Sequence, residues 1–298
     1  MRISRMGELR QGTRDGFTLI ELSIVLVIIG LIVGGVLVGQ DLIKAAQLRA
    51  VLTEIDKFNT AANTFLGKYD CLPGDCTNIA ATLADHIQGG YPYDKSGHSI
   101  FNGNGNGTID GFNESTYCAT APGANNNGYT NIMEIWGFWH HLALSGMIPS
   151  AGTSPGVGVC GPSSCTDSLV GTNIPVSALG GSTGYTVSAA FPGNEYGGDL
   201  YSGATGNVFI LGTQDNVNNS NIDVCQYSGP WLPALTTTDA KRLDSKIDDG
   251  QPTTGSVTAF TPTGQFNGST NPNCVSGTAY NITGPGGPQC TMVFRAQF

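Results

Sequence analysis

The chain has 298 residues, of which 12 % are charged, well below the roughly 25 % of ordinary soluble domains. Its formal net charge of −9 disfavours nonspecific contact with nucleic-acid phosphates, and a 40 % hydrophobic share excludes a disordered acidic tail. Gly accounts for 43 residues, about twice its usual share, which suits a loop-rich β domain outside the cytoplasm.

Residues 1–16 are basic. Arg2, Arg5, Arg10 and Arg14 outweigh Glu8 and Asp15, a net of +2, so removing this leader takes the chain from −9 to −11. From Leu22 to Gln40 runs a stretch of 19 residues, LSIVLVIIGLIVGGVLVGQ, without a charge. About 20 such residues cross a bilayer core as a helix. Arginines before the span place the start of the chain in the cytoplasm and the remainder across the membrane. One acid, Glu21, stands at the head of the span, where an unpartnered charge is costly.

The string Gly16-Phe17-Thr18-Leu19-Ile20-Glu21-Leu22 resembles the processing site of type IV prepilins and of the pseudopilins of type II secretion. The resemblance covers roughly residues 1–70. It implies a membrane prepilin peptidase that cuts after Gly16 and methylates the new terminus, Phe17. It also implies that Glu21, fifth in the mature chain, steers assembly. A secretory signal is cut after its apolar core; a cut after Gly16 precedes the core and retains it. No assembled set of acid, base and nucleophile stands out, so the chain reads as structural and not as an enzyme, with no cofactor expected other than the Ca2+ considered below. It would sit in the bacterial inner membrane as a single-pass protein, with a periplasmic C-terminal domain, and reach the cell surface where filaments form. Its partners would be further pilin subunits in a homo- or hetero-oligomeric filament, the peptidase and the secretion or pilus assembly platform. The other reading is a membrane-anchored adhesive or DNA-uptake minor pilin outside the filament bulk. Many type IV pilins carry Pro at the twenty-second mature position, where this chain has Val38.

The implied fold is α+β, a long N-terminal helix packed on a C-terminal antiparallel sheet, with long loop-rich insertions at about 70–180. Residues 17–66 read as one helix, with 17–40 as its membrane half and 41–66 as its amphipathic half. In the second half Leu42, Ala45, Leu48, Leu52, Ile55, Ala62 and Phe65 recur at helical spacing. Leu66-Gly67 is the expected stop, since Gly suits the position past a helix end. Gly30, Gly34, Gly35 and Gly39 fit either close approach of neighbouring helices or local unwinding and bending.

Residues 67–298 form the expected globular domain. All eight cysteines lie there: Cys71, Cys76, Cys118, Cys160, Cys165, Cys225, Cys274 and Cys290. An even count confined to an exported segment reads as disulfides. Spacing offers Cys71–Cys76, Cys160–Cys165 and Cys274–Cys290 as local pairs, which leaves Cys118 with Cys225, though connectivity stays open. A metal cluster lacks the usual C-x2-C pairs.

Leu72-Pro73-Gly74-Asp75, between the first two cysteines, is turn chemistry and also resembles large bacterial pilin-like proteins. Residues 87–128 suggest no regular element. Within them, Asn102-Gly103-Asn104-Gly105-Asn106-Gly107-Thr108-Ile109-Asp110 is similar to an EF-hand calcium loop, with oxygen side chains at positions 1, 3 and 5, Gly at 6 and an acid at 9. Asn102, Asn104, Asn106, Thr108 and Asp110 are the candidate Ca2+ ligands. The loop lacks acids at its first three ligand positions, and Asn113 replaces the usual closing Glu. The alternative is a turn-rich loop whose Asn and Gly adopt left-handed conformations.

Residues 131–148 predict a helix capped by Asn131, with Ile132, Ile135, Trp136, Trp139, Leu142 and Ala143 on one face. It would cover the sheet or the long helix. His140 and His141 are adjacent, about 100° apart on a helix, and cannot share one metal. Gly156–Gly161 and Gly180–Gly184 match G-x-G-x-x-G and G-x-S-x-G but lack the context either chemistry needs. Tyr185–Ala189, Asn207–Leu211, Ser256–Phe260 and Thr291–Arg295 read as strands of an antiparallel sheet. Residues 235–250 predict a helix capped by Thr238. Its Asp244, Asp248 and Asp249 sit on a solvated surface or, in the alternative, invite a cation.

Overall fold

Apolar side chains at helical spacing build α1, Leu19–Tyr69. The computed structural model describes residues 16–88, 91–93, 100, 102–109, 133–149, 170–171, 174–190, 206–214, 231–260 and 273–298. Two compact units divide at Ala46, with Gln47–Phe298 as the second. In the first unit Leu19–Ile43 present their apolar side chains to the outside.

In the second unit α1 buries Leu48, Val51, Ile55, Phe58, Ala61, Ala62 and Phe65. This differs from the predicted face. Leu42 is exposed, Leu52 is half-buried, and Val51 and Phe58 are fully part of the core. The helix also runs past the expected stop at Gly67. It ends on Asp70, whose φ of 57° is left-handed, a conformation that Asp tolerates better than most residues. The Asp70 N–H closes the last turn on the Leu66 carbonyl at 2.8 Å.

After α1 come α2, Ala80–Leu83, and a small hairpin of β1, His86–Gln88, and β2, Tyr91–Tyr93. The hairpin lies in a stretch where the sequence suggested no regular element. Strands of three residues carry too little alternation to signal themselves. Helix α3 spans Met133–Leu144, and its predicted cap Asn131 lies outside the described residues.

Strands β3, Thr183–Ala190, and β4, Gly206–Thr213, precede helix α4, Thr237–Ile247. Then follow β5, Val257–Phe260, the short pair β6, Val275–Ser276, and β7, Ala279–Tyr280, and finally β8, Thr291–Arg295. The main sheet has the order β3-β4-β8-β5 and is antiparallel throughout. All four predicted strands are in it.

Pairing lines the core residues into two rows across the sheet. One row is Tyr185, Leu211, Met292 and Ala259; the next is Val187, Phe209, Phe294 and Val257. All eight are buried in one cluster with the C-terminal half of α1. Phe58 is central, with ring centroids 4.9 Å from Trp139, 5.2 Å from Tyr185 and 5.9 Å from Phe209. Thus α3 covers both the sheet and the long helix. Its buried set includes Phe138, absent from the predicted face, and also Glu134, His140 and His141.

Polar bonds fix the helix on the sheet. Glu54 accepts the Tyr185 hydroxyl at 2.6 Å and the Ala178 N–H at 3.1 Å. Asn59 accepts the Gln297 N–H at 2.7 Å, while Asn63 donates to the Gln297 carbonyl at 3.0 Å. Burial and the neighbouring Glu54 carboxylate push the Tyr185 hydroxyl well above its usual pKa, so it remains a donor. Phe58→Ala removes the ring that joins helix, sheet and α3. A loss of about 3–5 kcal/mol in unfolding free energy is expected, measured by denaturant titration of the detergent-solubilised chain.

Candidate functional site

The N-terminus of α1 is organised by two side chains. The Thr18 hydroxyl accepts the Glu21 N–H at 3.3 Å. In return, the Thr18 N–H and hydroxyl both donate to Glu21 Oε2, each at 2.8 Å. This is a reciprocal capping box, which satisfies donors that the first turn of a helix leaves open. Glu21 Oε1 has no partner among the described residues. Gly16 and Phe17, just ahead of the box, are exposed.

Behind the box α1 is long and apolar enough to cross a membrane, and its most apolar 18-residue window is entirely unburied. The helix is continuous through Gly30, Gly34, Gly35 and Gly39, as well as through Val38. A Cβ at any of these four glycines would meet nothing within 4 Å. No contact among the described residues therefore accounts for them.

An exposed Gly16-Phe17 pair, a capped acid and a bare apolar helix thus follow one another within 25 residues. Residues 13–37 match the family model of the prokaryotic N-terminal methylation motif. The chain carries the prepilin-type cleavage and methylation motif. No curated protein and no solved structure matches the chain. The prepilin-type motif points to a structural rather than a catalytic protein.

Two disulfides are formed among the described residues. Cys71–Cys76 and Cys274–Cys290 have Cα separations of 5.2 and 5.1 Å, as the local spacing suggested. Cys118, Cys160, Cys165 and Cys225 lie outside the described residues. The first disulfide closes the turn that follows α1. At its tip Gly74 has a φ of 89°, and a Cβ there would collide with the backbone of α3 at Glu134. The Gly74 N–H donates to His141 Nδ1 at 2.9 Å.

The Asn/Gly loop packs against this turn. Asp75, buried, accepts N–H groups from Gly105 and Asn106 on Oδ1, at 2.6 and 3.1 Å, and from Gly107 on Oδ2, at 2.8 Å. Glu134, also buried, accepts the Asn104 N–H at 2.9 Å. Of the predicted ligands, Asn102 turns away and accepts the N–H groups of Ile79 and Ala80, both at 2.9 Å. Asn104 accepts the Asn106 N–H at 2.9 Å, and Asn106 accepts the Thr108 N–H at 2.8 Å. Asp110 lies outside the described residues. Sequence reasoning missed Asp75 and Glu134, although Asp75 lies within the singled-out Leu-Pro-Gly-Asp string.

The G-x-S-x-G match at Gly180–Gly184 sits on the turn into β3, with Ser182 exposed. A nucleophile elbow requires a strand-to-helix turn. The Gly156–Gly161 match lies outside the described residues.

A third polar cluster follows α4. The N-cap is Thr236, two residues before the expected Thr238, and its hydroxyl accepts the Asp239 N–H at 3.2 Å. Ligand oxygens of Asp244, Asp248 and Asp249 lie within 4.8 Å of one another. Each carboxylate is engaged by the chain. Asp244 accepts the Gly250 N–H at 3.2 Å and the Tyr280 hydroxyl at 2.8 Å. Asp248 accepts the N–H groups of Ser256 and Val257. Asp249 accepts from the Gln251 N–H at 2.8 Å and the Thr254 hydroxyl at 2.6 Å. These bonds tie the end of α4 to the start of β5. The expected solvated surface therefore does not hold for Asp244, which is fully buried.

Burial raises the Asp244 pKa from 3.8 to about 6; the Tyr280 hydroxyl and Gly250 N–H pull it down, and the charges of Asp249 and Asp248 add to the rise. The folded state then holds this proton more tightly than the unfolded chain. Its stabilising share is full below the unfolded pKa and is lost as pH rises through the folded one. Asp244→Asn should melt progressively higher relative to the unmodified chain as pH rises from about 4 to about 6, as followed by circular dichroism.

Proposed function

We propose that the chain is a structural subunit of a type IV pilus or a type II secretion pseudopilus. It is cut after Gly16, methylated on Phe17 and polymerised through α1. The observation that carries this reading is the methylation motif at residues 13–37, joined to a helix whose apolar half stays uncovered in the single chain. The disulfides support an oxidising compartment for residues 67–298, hence a periplasmic domain on an inner-membrane anchor.

Cleavage leaves an ammonium on Phe17, one turn ahead of Glu21. A carboxylate at membrane depth costs about 2.5–3.5 kcal/mol on insertion scales. The capping box offsets part of that cost through Oε2. Oε1 remains for a donor from another subunit, and the Phe17 ammonium of a neighbour fits it in charge. That pair lowers the cost of the buried acid only when two subunits are in one axial register, so it selects the register. The four small residues at Gly30, Gly34, Gly35 and Gly39 then allow close approach between helices.

Glu21→Ala should insert and be processed normally, yet yield filaments reduced by at least about tenfold, since the pair supplies more than about 1.4 kcal/mol. Mass spectrometry of the N-terminus and electron microscopy of sheared filaments, labelled with an antibody to residues 70–298, measure both. Filaments at the unmodified yield overturn the role of Glu21, and an uncut N-terminus in assembled material overturns the whole reading.

A further inference from the structure

We propose that Asn104 and Asn106 are sites of deamidation, kept intact in the folded chain by the Cys71–Cys76 turn. From Asn102 to Gly107 the sequence is three Asn-Gly pairs in succession. Asn-Gly is the dipeptide most prone to this reaction, because no side chain shields the nitrogen that follows the Asn. That nitrogen loses its proton and bonds to the Asn Cγ, and the side-chain amide takes up a proton and leaves as ammonia. Water then opens the resulting succinimide to Asp or to isoaspartate. Water is the one co-reactant, and residues 104–107 are exposed to it.

All three attacking nitrogens are held by the same two residues. The Gly103 N–H donates to the Cys76 carbonyl at 2.8 Å. The Gly105 N–H donates to the Asp75 carbonyl at 2.8 Å and to Asp75 Oδ1 at 2.6 Å. The Gly107 N–H donates to Asp75 Oδ2 at 2.8 Å. Hydrogen bonds to a carboxylate are about twice as strong as those to a neutral acceptor, and its negative charge opposes loss of the N–H proton. The electrophilic side is held as well. Asn104 Oδ1 accepts the Asn106 N–H, and Asn106 Oδ1 accepts the Thr108 N–H and hydroxyl, which directs both side chains past the glycine to the residue after it. Reaction therefore requires the loop to leave the turn, and its rate follows the population of that open form. Conversion also makes the opening one-way. Asn104 Oδ1 and Asp75 Oδ1 share the Asn106 N–H, so a carboxylate created at 104 meets the one at 75, and isoaspartate lengthens the main chain that docks there.

The sites do not rest on filament assembly, so their test is separate from that of the proposed function. Full-length chain in detergent and a synthetic peptide of residues 100–110 are incubated at mildly alkaline pH, and peptide mapping by mass spectrometry follows Asp and isoaspartate at each position. Asn104 and Asn106 should convert at least about tenfold more slowly in the chain than in the peptide; equal rates overturn the proposal. Asp75→Ala removes the acceptor of the Gly107 N–H but leaves the main-chain carbonyl that holds Gly105. Where near-ultraviolet circular dichroism shows a native fold, Asn106 should then convert fastest, Asn104 next and Asn102 slowest. Unchanged rates in this variant overturn the role of the carboxylate, and equal acceleration at the three positions overturns the separate holding of their glycines. Should the variant not fold, hydrogen exchange of the unmodified chain decides: the Gly105 and Gly107 amides should exchange at least about tenfold more slowly than in the peptide, and exchange at the peptide's rate overturns the holding. Asn104→Asp, which copies one product, should lower Tm by a few degrees; an unchanged Tm overturns the one-way step.

Discussion

The contact between Phe58 and the sheet is what makes a helix and a set of short strands into a domain. One ring on α1 meets Trp139 from α3, Tyr185 from β3 and Phe209 from β4. Edge-to-face aromatic packing adds to the burial of large apolar surfaces. Around that point, two rows of side chains cross all four strands and face the same helix. The carboxylate of Glu54 and the amides of Asn59 and Asn63 then set where along α1 the sheet sits. Apolar contact is tolerant of sliding; these directional bonds are less so, and for buried Asn59 the loss of its partner costs about 1–3 kcal/mol.

The same helix serves two solvents. Its second half buries a stripe only, as an amphipathic helix does. Its first half is apolar all round and uncovered, as suits lipid or other helices. The change of character occurs without a break in the helix. The acid at its start is handled by the oldest device available to a helix end, a side chain that caps the turn it belongs to. That device leaves one oxygen over, and the proposed assembly uses it.

Much of this was legible because it is local. The methylation motif, the apolar span and the four strands each sit within one short window, and alternation such as Tyr185, Val187 and Ala189 needs no knowledge of the partner. The face of α1 was less so. Leu42 and Leu48 share a helical stripe, yet only Leu48 is in the core, and periodicity cannot say where the covering layer ends. The cap of α4 carried a signal that was passed over: Thr236 stands three residues before Asp239, the capping-box spacing. The cradle around Asp75 had no such signal. Its donors lie about 30 residues away, and no pattern in a single chain links a turn to a distant loop. Buried Glu134 and His141 were hidden likewise, because a charged residue on a helix reads as surface until its partner is known.

Both faces of the main sheet are sequestered. Thr186 and Ser188, between the core residues of β3, are buried, as are Ile210 and Val293 opposite the helix. A shift of β3 by one residue inverts which side chains point where. In a sheet with one wet face, such a slip is penalised by grease turned toward water. Here it would instead press hydroxyls against the ring of Phe58, so strand alignment in this protein is policed by stranded hydrogen-bond donors and not by exposed oil.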